Sequence, residues 1–385
     1  MEHLSEILKI LDGALKANAS MATNYAGLLA DKLEQSGETR QALMIRERLA
    51  RAPAALASAQ DASRGISFGN LPVDGESRLP IVAVSHPILG ETNLLLPSAI
   101  EERVSEYLVN INHYDDLAKA GVAMPSRLLV YGPPGTGKTR LARYVAARLE
   151  LPLLTVRCDT LVSSLLGQTS RNLRRVFEYS QQSPCILFLD EFDALAGARG
   201  NERDVGELQR VVIALLQNID ALPDSTILVA ATNHDQLLDP AIWRRFGFRI
   251  PMPAPDDSLR CLLWEQFLKP FAPTGLDMDG LVVASEGVTG ANIEQICLDV
   301  KRNVVLSGAS EIDEAQLFRR LGLTIALANG ILLSTIESEI RWLRAWDSKR
   351  FSYRSLAKLY NISTRHVTNV LKEMNLNGEE ICSTV

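Results

Sequence analysis

With 385 residues, 46% of them apolar and 22% charged, the chain has the length for two or three domains and the composition of a globular protein. A formal net charge of −6 excludes a chain that coats nucleic acid over its whole surface, though not a basic patch on one domain. The five cysteines (158, 185, 261, 297 and 382) show no paired metal-ligand spacing and read as unpaired thiols of a reducing cytoplasm. The N-terminus is acidic, without the basic-then-apolar layout of a signal peptide. The longest uncharged run, Leu321 to Ile336, is shorter than the ~20 residues of a membrane span and reads as a buried helix. These features predict a cytoplasmic protein with no membrane contact.

Residues 1–52 carry three apolar stripes at helical spacing: Leu4, Ile7, Leu8, Leu11 and Leu15; then Tyr25, Leu28, Leu29 and Leu33; then Ala42, Ile45 and Leu49. They predict a small helical bundle, which either docks a partner or packs on the next domain. Residues 53–97, rich in Ala, Ser, Pro and Gly, read as a linker followed by an irregular lead-in. A helical pattern resumes after Pro97 with Ile100, Val104, Tyr107 and Leu108.

The apolar run Leu128-Leu129-Val130 then enters Gly132-Pro133-Pro134-Gly135-Thr136-Gly137-Lys138-Thr139-Arg140, and a helical pattern with Leu141, Ala142, Val145, Ala146 and Leu149 on one face follows. Strand, glycine-rich loop and helix is the layout of a phosphate-binding loop. Glycines let backbone N–H groups close on phosphate oxygens, and the helix N-terminus adds a favourable dipole. Lys138 is placed for the β- and γ-phosphates of ATP, and the Thr139 hydroxyl for Mg2+.

Strand and helix patterns alternate beyond this point: strands at Leu153–Val156, Cys185–Leu189, Ile227–Ala231 and Phe248–Ile250, helices at Ser170–Ser180 and Gly206–Ile219. The alternation predicts an α/β fold, a parallel sheet with helices on both faces. Ile186-Leu187-Phe188-Leu189 ends in Asp190-Glu191. An apolar strand of this kind belongs in the middle of a parallel sheet, with its acids beside the phosphate loop. Asp190 then holds hydrated Mg2+, and Glu191 polarises the attacking water.

The order of phosphate loop, Asp190-Glu191, Thr232-Asn233, the stretch Leu238-Asp239-Pro240-Ala241-Ile242-Trp243-Arg244-Arg245-Phe246, and Gly287-Val288-Thr289-Gly290-Ala291-Asn292-Ile293 resembles the AAA family of ATPases over about residues 98–305. The resemblance implies a large ATPase subdomain over 98–255 and a small helical lid over 256–305. It implies that Asn233 orients the attacking water and that Arg244 and Arg245 reach a neighbouring subunit's γ-phosphate. Gly290 and Ala291 would let the lid helix approach the nucleotide. Arginines acting in trans imply a homo-oligomer, in this family usually a hexamer. Members that thread polypeptides carry an aromatic residue in a pore loop; the matching stretch here is Leu165-Leu166-Gly167, which favours short-range remodelling over processive unfolding.

Residues 306–385 predict a helical C-terminal domain, and 353–373 resembles a helix-turn-helix in which Asn361 adopts a left-handed backbone and Ser363 caps the second helix. Ile362, Val367 and Val370 are its expected core. From Arg341 to Met374 there are eight basic and two acidic residues. If the second helix enters a major groove, Thr364, Arg365, Thr368 and Asn369 are placed to meet base edges.

Two readings stay open at this stage. One is a ring ATPase that remodels or restrains a protein partner; its layout is similar to bacterial ATPases encoded beside a subtilisin-like serine protease. The other is an ATPase regulator that binds DNA through its C-terminal domain.

Overall fold

Apolar runs without a helical period become one six-stranded sheet, as seen in a computed structural model that describes residues 3–15, 19–50, 71–74, 80–161, 166–196 and 205–377. The strands are β1 (Val82–Ser85), β2 (Arg127–Tyr131), β3 (Leu153–Arg157), β4 (Ile186–Asp190), β5 (Ile227–Thr232) and β6 (Phe248–Pro251), in the spatial order β1-β3-β4-β5-β2-β6. β2 to β6 are parallel, and β1 joins β3 antiparallel with Val82 opposite Val156. Chain segments divide into two units, Met1–Pro253 and Ala254–Val385.

Strand period decides which side chain goes to which face. Leu129, Leu154, Val156, Leu187, Leu189, Leu228 and Ala230 pack with Leu173, Val176, Phe177 and Leu215 on one side. On the other side Leu128, Val130, Leu153, Phe188 and Val229 pack with Tyr107, Leu141, Val145 and Ala146. The central strands are buried on both faces, as a sheet covered twice requires.

β1 corrects the irregular lead-in expected over 53–97, and adds one antiparallel edge strand to the expected parallel sheet. Val82-Ala83-Val84-Ser85 is too short for a period of its own. Its strand character comes from pairing with the open edge of β3, a tertiary influence that local pattern does not carry.

The first unit begins with helices Leu4–Leu15, Ala19–Gln35 and Thr39–Ala50, each packed on the next. A Cβ at Gly13 would lie 2.6 Å from the Ala22 nitrogen, so the first two helices touch backbone to backbone. The first helix is turned opposite to its pattern. Glu6 is 5% exposed, whereas Leu8, Leu11 and Leu15 are 52%, 55% and 77% exposed. In the second helix Met21, Tyr25, Ala30 and Leu33 are buried.

Helices Asp257–Leu268, Met278–Ala284 and Gly290–Ser307 open the second unit, with buried Trp264 donating from Nε1 to Ser285 Oγ at 3.0 Å. Glu314–Ala328, Ile336–Trp346, Tyr353–Tyr360 and Thr364–Asn377 follow. A Cβ at Gly322 would meet Leu343 Cδ2 at 2.8 Å, and Trp342 Nε1 donates to Gly322 O at 2.8 Å across that close helix approach. The uncharged run is a correction too. Its helix stops at Ala328, Gly330 turns the chain at φ 74, and Leu332 is 81% exposed, so only its first half is buried.

No described helix is long and apolar enough to cross a membrane. Cys158, Cys185 and Cys297 are buried and Cys261 is half-buried, none of the four in a disulfide, while Cys382 lies outside the described residues.

Candidate nucleotide site

The glycine-rich turn leaves β2 in conformations that side chains resist. Gly132, Gly135 and Gly137 have φ values of 141, 76 and 99°. At Gly132 the space itself forbids a side chain, because a Cβ would sit 2.3 Å from Met252 O. Gly137 caps the helix Lys138–Arg148, whose Leu141, Ala142, Val145 and Ala146 lock it onto the sheet. Pro133, Pro134 and Thr136 shape the turn, with Thr136 Oγ1 donating to Pro133 O at 2.9 Å.

Lys138 is 7% exposed, and its Nζ donates to Gly132 O at 2.7 Å and Pro133 O at 2.6 Å. The ammonium thus folds back into the loop it serves. Burial lowers its pKa, and the Asp190 and Asp193 carboxylates oppose that fall.

The sequence placed the end of β4 beside the phosphate loop. β5 is in fact the strand between β2 and β4, but the start of the loop's helix reaches across it. Thr139 Oγ1 donates to Asp190 Oδ2 at 3.1 Å, and Asp190 Oδ1 accepts the Glu191 N–H at 3.0 Å. Glu191 is exposed and has φ 53°, a left-handed backbone for a non-glycine residue. That strain costs on the order of 1–3 kcal/mol and persists where surrounding bonds enforce it. Here the Phe192 N–H donates to Ala231 O at 2.9 Å, and the buried Phe192 ring meets Phe246 edge-on at 5.9 Å.

Asp193, which the sequence reading did not single out, ties this turn to β5. Its Oδ1 accepts Thr232 Oγ1 at 2.7 Å and the Asn233 N–H at 3.4 Å. Asn233 is half-buried at the strand end, next to Thr232, whose carbonyl accepts the Gly132 N–H at 3.3 Å. The signal for Asp193 was an acid three residues past Asp190 on the same turn.

Arg244 and Arg245 follow a one-turn helix, Pro240–Trp243, started by Pro240 and capped by Asp239 Oδ1 on the Ala241 N–H at 2.7 Å. The two arginines differ. Arg245 forks onto Asp220, Nε to Oδ1 and Nη2 to Oδ2, both 2.7 Å, and Nη1 donates to Ala241 O at 2.8 Å. These bonds raise its pKa. Arg244 is exposed and has no hydrogen bond or ion pair among the described residues. Asp220 was invisible in sequence because it lies 25 positions from its partner.

Arg140 follows Thr139 on the loop helix; Gly290 and Ala291 open the helix Gly290–Ser307 of the second unit behind the Thr289 cap. Leu165 lies outside the described residues, and Leu166-Gly167 begin the helix Leu166–Ser180. In the C-terminal stretch Asn361 has φ 53° and ends one helix, and Ser363 Oγ accepts the His366 N–H at 3.2 Å to start the next. Thr364, Arg365 and Asn369 are exposed and Thr368 half-buried, over a core of Val367, Val370 and Leu371; Ile362 is only half-buried.

Comparison with known sequences agrees with this geometry. The signature of the ATPase family associated with various cellular activities (AAA) matches residues 128–254, from β2 to just past β6. An uncharacterized AAA family ATPase of Sinorhizobium fredii is 38% identical over 233 residues, which cover 60% of this chain and 69% of that one. This chain belongs to the AAA family of ATPases. It is therefore an ATP-binding enzyme that hydrolyses ATP.

Other AAA relatives are similar over shorter shares. The 26S proteasome regulatory subunit S10B homolog B of Arabidopsis thaliana is 33% identical over 189 residues, 47% of each chain. The ATP-dependent zinc metalloprotease FtsH of Rhodococcus erythropolis is 36% identical over 230 residues, 57% of this chain but 26% of that one. The present chain thus spans about two thirds of its Sinorhizobium relative and under half of these others.

Proposed function

We propose that this AAA ATPase acts as a homo-oligomeric ring, in the hexameric form usual for the family, that remodels or restrains a protein partner. The observation that carries the reading is the outward apolar stripe of the first helix, Ile7, Leu8, Leu11 and Leu15, on a bundle whose third helix also exposes Leu43 and Met44. Exposed apolar surface of this kind on a folded module marks a protein-docking face. Two relatives are named as a proteasome subunit and a metalloprotease, so a protease, such as a subtilisin-like one, is a fitting partner.

Within the site, the backbone N–H groups of Gly135 to Thr139 cradle the phosphates, and Lys138 exchanges its two carbonyl partners for β- and γ-oxygens. The Thr139 hydroxyl and Asp190 carboxylate are paired oxygen donors, the set a hard cation takes together with phosphate oxygens, so these residues fit Mg2+. When bound, the ion neutralises charge on the phosphates. Glu191 accepts the proton of the attacking water, and the left-handed turn at this residue holds its carboxylate out from the strand end. Asn233 orients the same water. Arg244, unpaired and exposed, reaches a neighbouring subunit's γ-phosphate, while Arg245 shapes its loop through Asp220.

The decisive experiment expresses Glu191→Gln in native cells and purifies it with ATP and Mg2+. A protein retained in stoichiometric amount, and lost when Leu8, Leu11 and Leu15 become Ser, is expected. Retention of no protein at all would sink the reading.

A second reading, DNA binding, has an observation of its own: the capped helix Thr364–Asn377 exposes Thr364, Arg365 and Asn369 within a basic stretch. Duplex affinity that falls steeply with salt and drops in Arg365→Ala would support it. Affinity unchanged by that substitution would remove it.

A further inference from the structure

The sheet's amino end, opposite the nucleotide loop, is closed by the N-terminal bundle, and a cavity of about 130 Å³ lies between them. Ser5, Glu6, Lys9, Tyr25 and Lys32 line it from the bundle; Cys185 and Thr226 line it from the residues just before β4 and β5. We propose that this cavity binds a small oxyanion of one negative charge, held by Lys9 Nζ, the Tyr25 hydroxyl and Thr226 Oγ1.

Charge comes first. Glu6 is already committed: Lys32 Nζ lies 2.6 Å from its Oε1, and Ser5 Oγ donates to its Oε2 at 3.0 Å. Lys9 has no carboxylate; among the described residues its partner is neutral Tyr25, with Nζ donating to the hydroxyl at 3.1 Å and standing 4.7 Å over the ring. The Cys185 thiol offers no counter-charge, because burial pushes its pKa up to about 12. Lys9 is therefore an ammonium at the cavity wall with no ion pair among the described residues, which an anion would supply.

Hydrogen bonding points the same way. Thr226 is 4% exposed, and its Oγ1 has no hydrogen-bond partner among the described residues. Tyr25 accepts from Lys9 and keeps its own proton to donate. Thr226 Oγ1 and the Tyr25 proton thus face the cavity without an acceptor, beside a Lys9 ammonium whose one acceptor among the described residues is Tyr25, and buried polar groups are rarely left so. The volume takes roughly four waters, or one oxyanion of about five heavy atoms. Burial, the largest cause, holds the Lys9 ammonium down to about 8; Lys32 adds to the fall, and Glu6 opposes it. Because a bound anion favours the charged ammonium, affinity is expected to weaken above pH 8. The other titratable groups lining the cavity are Glu6 and Lys32, Tyr25 and Tyr114, and Cys185.

Every residue that lines the site belongs to the one chain. Its test uses the full chain saturated with ADP and Mg2+, so that the phosphate loop is filled. Thermal stability is followed against acetate, inorganic phosphate and chloride at one ionic strength. A saturable rise with acetate or phosphate beyond chloride is expected, and the anion that gives it identifies the source as carboxylate or free phosphate. The midpoint should move at least tenfold in Lys9→Met and in Thr226→Val, with ADP affinity unchanged. For acetate, a monoanion across the range, the midpoint should also weaken between pH 7.5 and 9. Should Lys9→Met fail to fold, Thr226→Val and the pH series decide. No rise beyond chloride, or the same midpoint in the variants, would overturn the site and leave the cavity to water.

Discussion

The sheet's two ends are built in opposite ways. At the carboxyl end, the candidate nucleotide site is built from neighbours in sequence: Gly132 to Thr139 form one loop, and Asp190, Glu191 and Asp193 one turn. At the amino end, Glu6, Lys9, Tyr25, Cys185 and Thr226 arrive from four separate segments and share no spacing. Local chemistry is written into adjacent residues; assembled chemistry exists only once the chain has folded.

Arg244→Ala gives the largest test of the carboxyl end. Turnover is expected to fall by about 10³-fold or more with ATP binding retained, whereas Arg245→Ala should lose less, since its guanidinium already serves Asp220. Equal losses in the two would erase the distinction drawn between them. Glu191→Gln should slow hydrolysis by about 10²–10⁴-fold without loss of ATP affinity, as phosphate-release kinetics and calorimetry can read. Lys138→Ala should weaken ATP binding by roughly 10–100-fold, the worth of charge-assisted bonds of about 1.5–3 kcal/mol. Unchanged affinity would place the phosphates elsewhere.

Stability sets the two ends apart more finely. Leu141→Ala, at a fully buried site of the loop helix, should cost about 2–5 kcal/mol in denaturant unfolding. Leu11→Ala on the bundle should stay within about 0.5 kcal/mol for the isolated chain. A large loss at Leu11 would mean that its helix already buries that face against another copy.

Legibility followed the same division. The five parallel strands, the loop and the Asp190-Glu191 turn were readable because each apolar run and each glycine states its own requirement. Asn361 and Ser363 were readable too, as a left-handed residue and a cap depend on their own chain. β1 was not, since its partner lies on β3, nor was Asp220, whose meaning comes from Arg245. In the first helix the stripe was legible and its direction was not. Periodicity defines a face; what that face meets is decided by the neighbouring helix through Gly13 and Glu6.

β1 has one more consequence. It and β6 bound the sheet, each only four residues long, and β6 finishes on Pro251, which has no N–H to give. Neither border offers a long run of free backbone groups for an incoming strand. A second copy or an extended peptide would therefore meet side chains and loops at these borders rather than add a strand, which also guards against edge-to-edge aggregation.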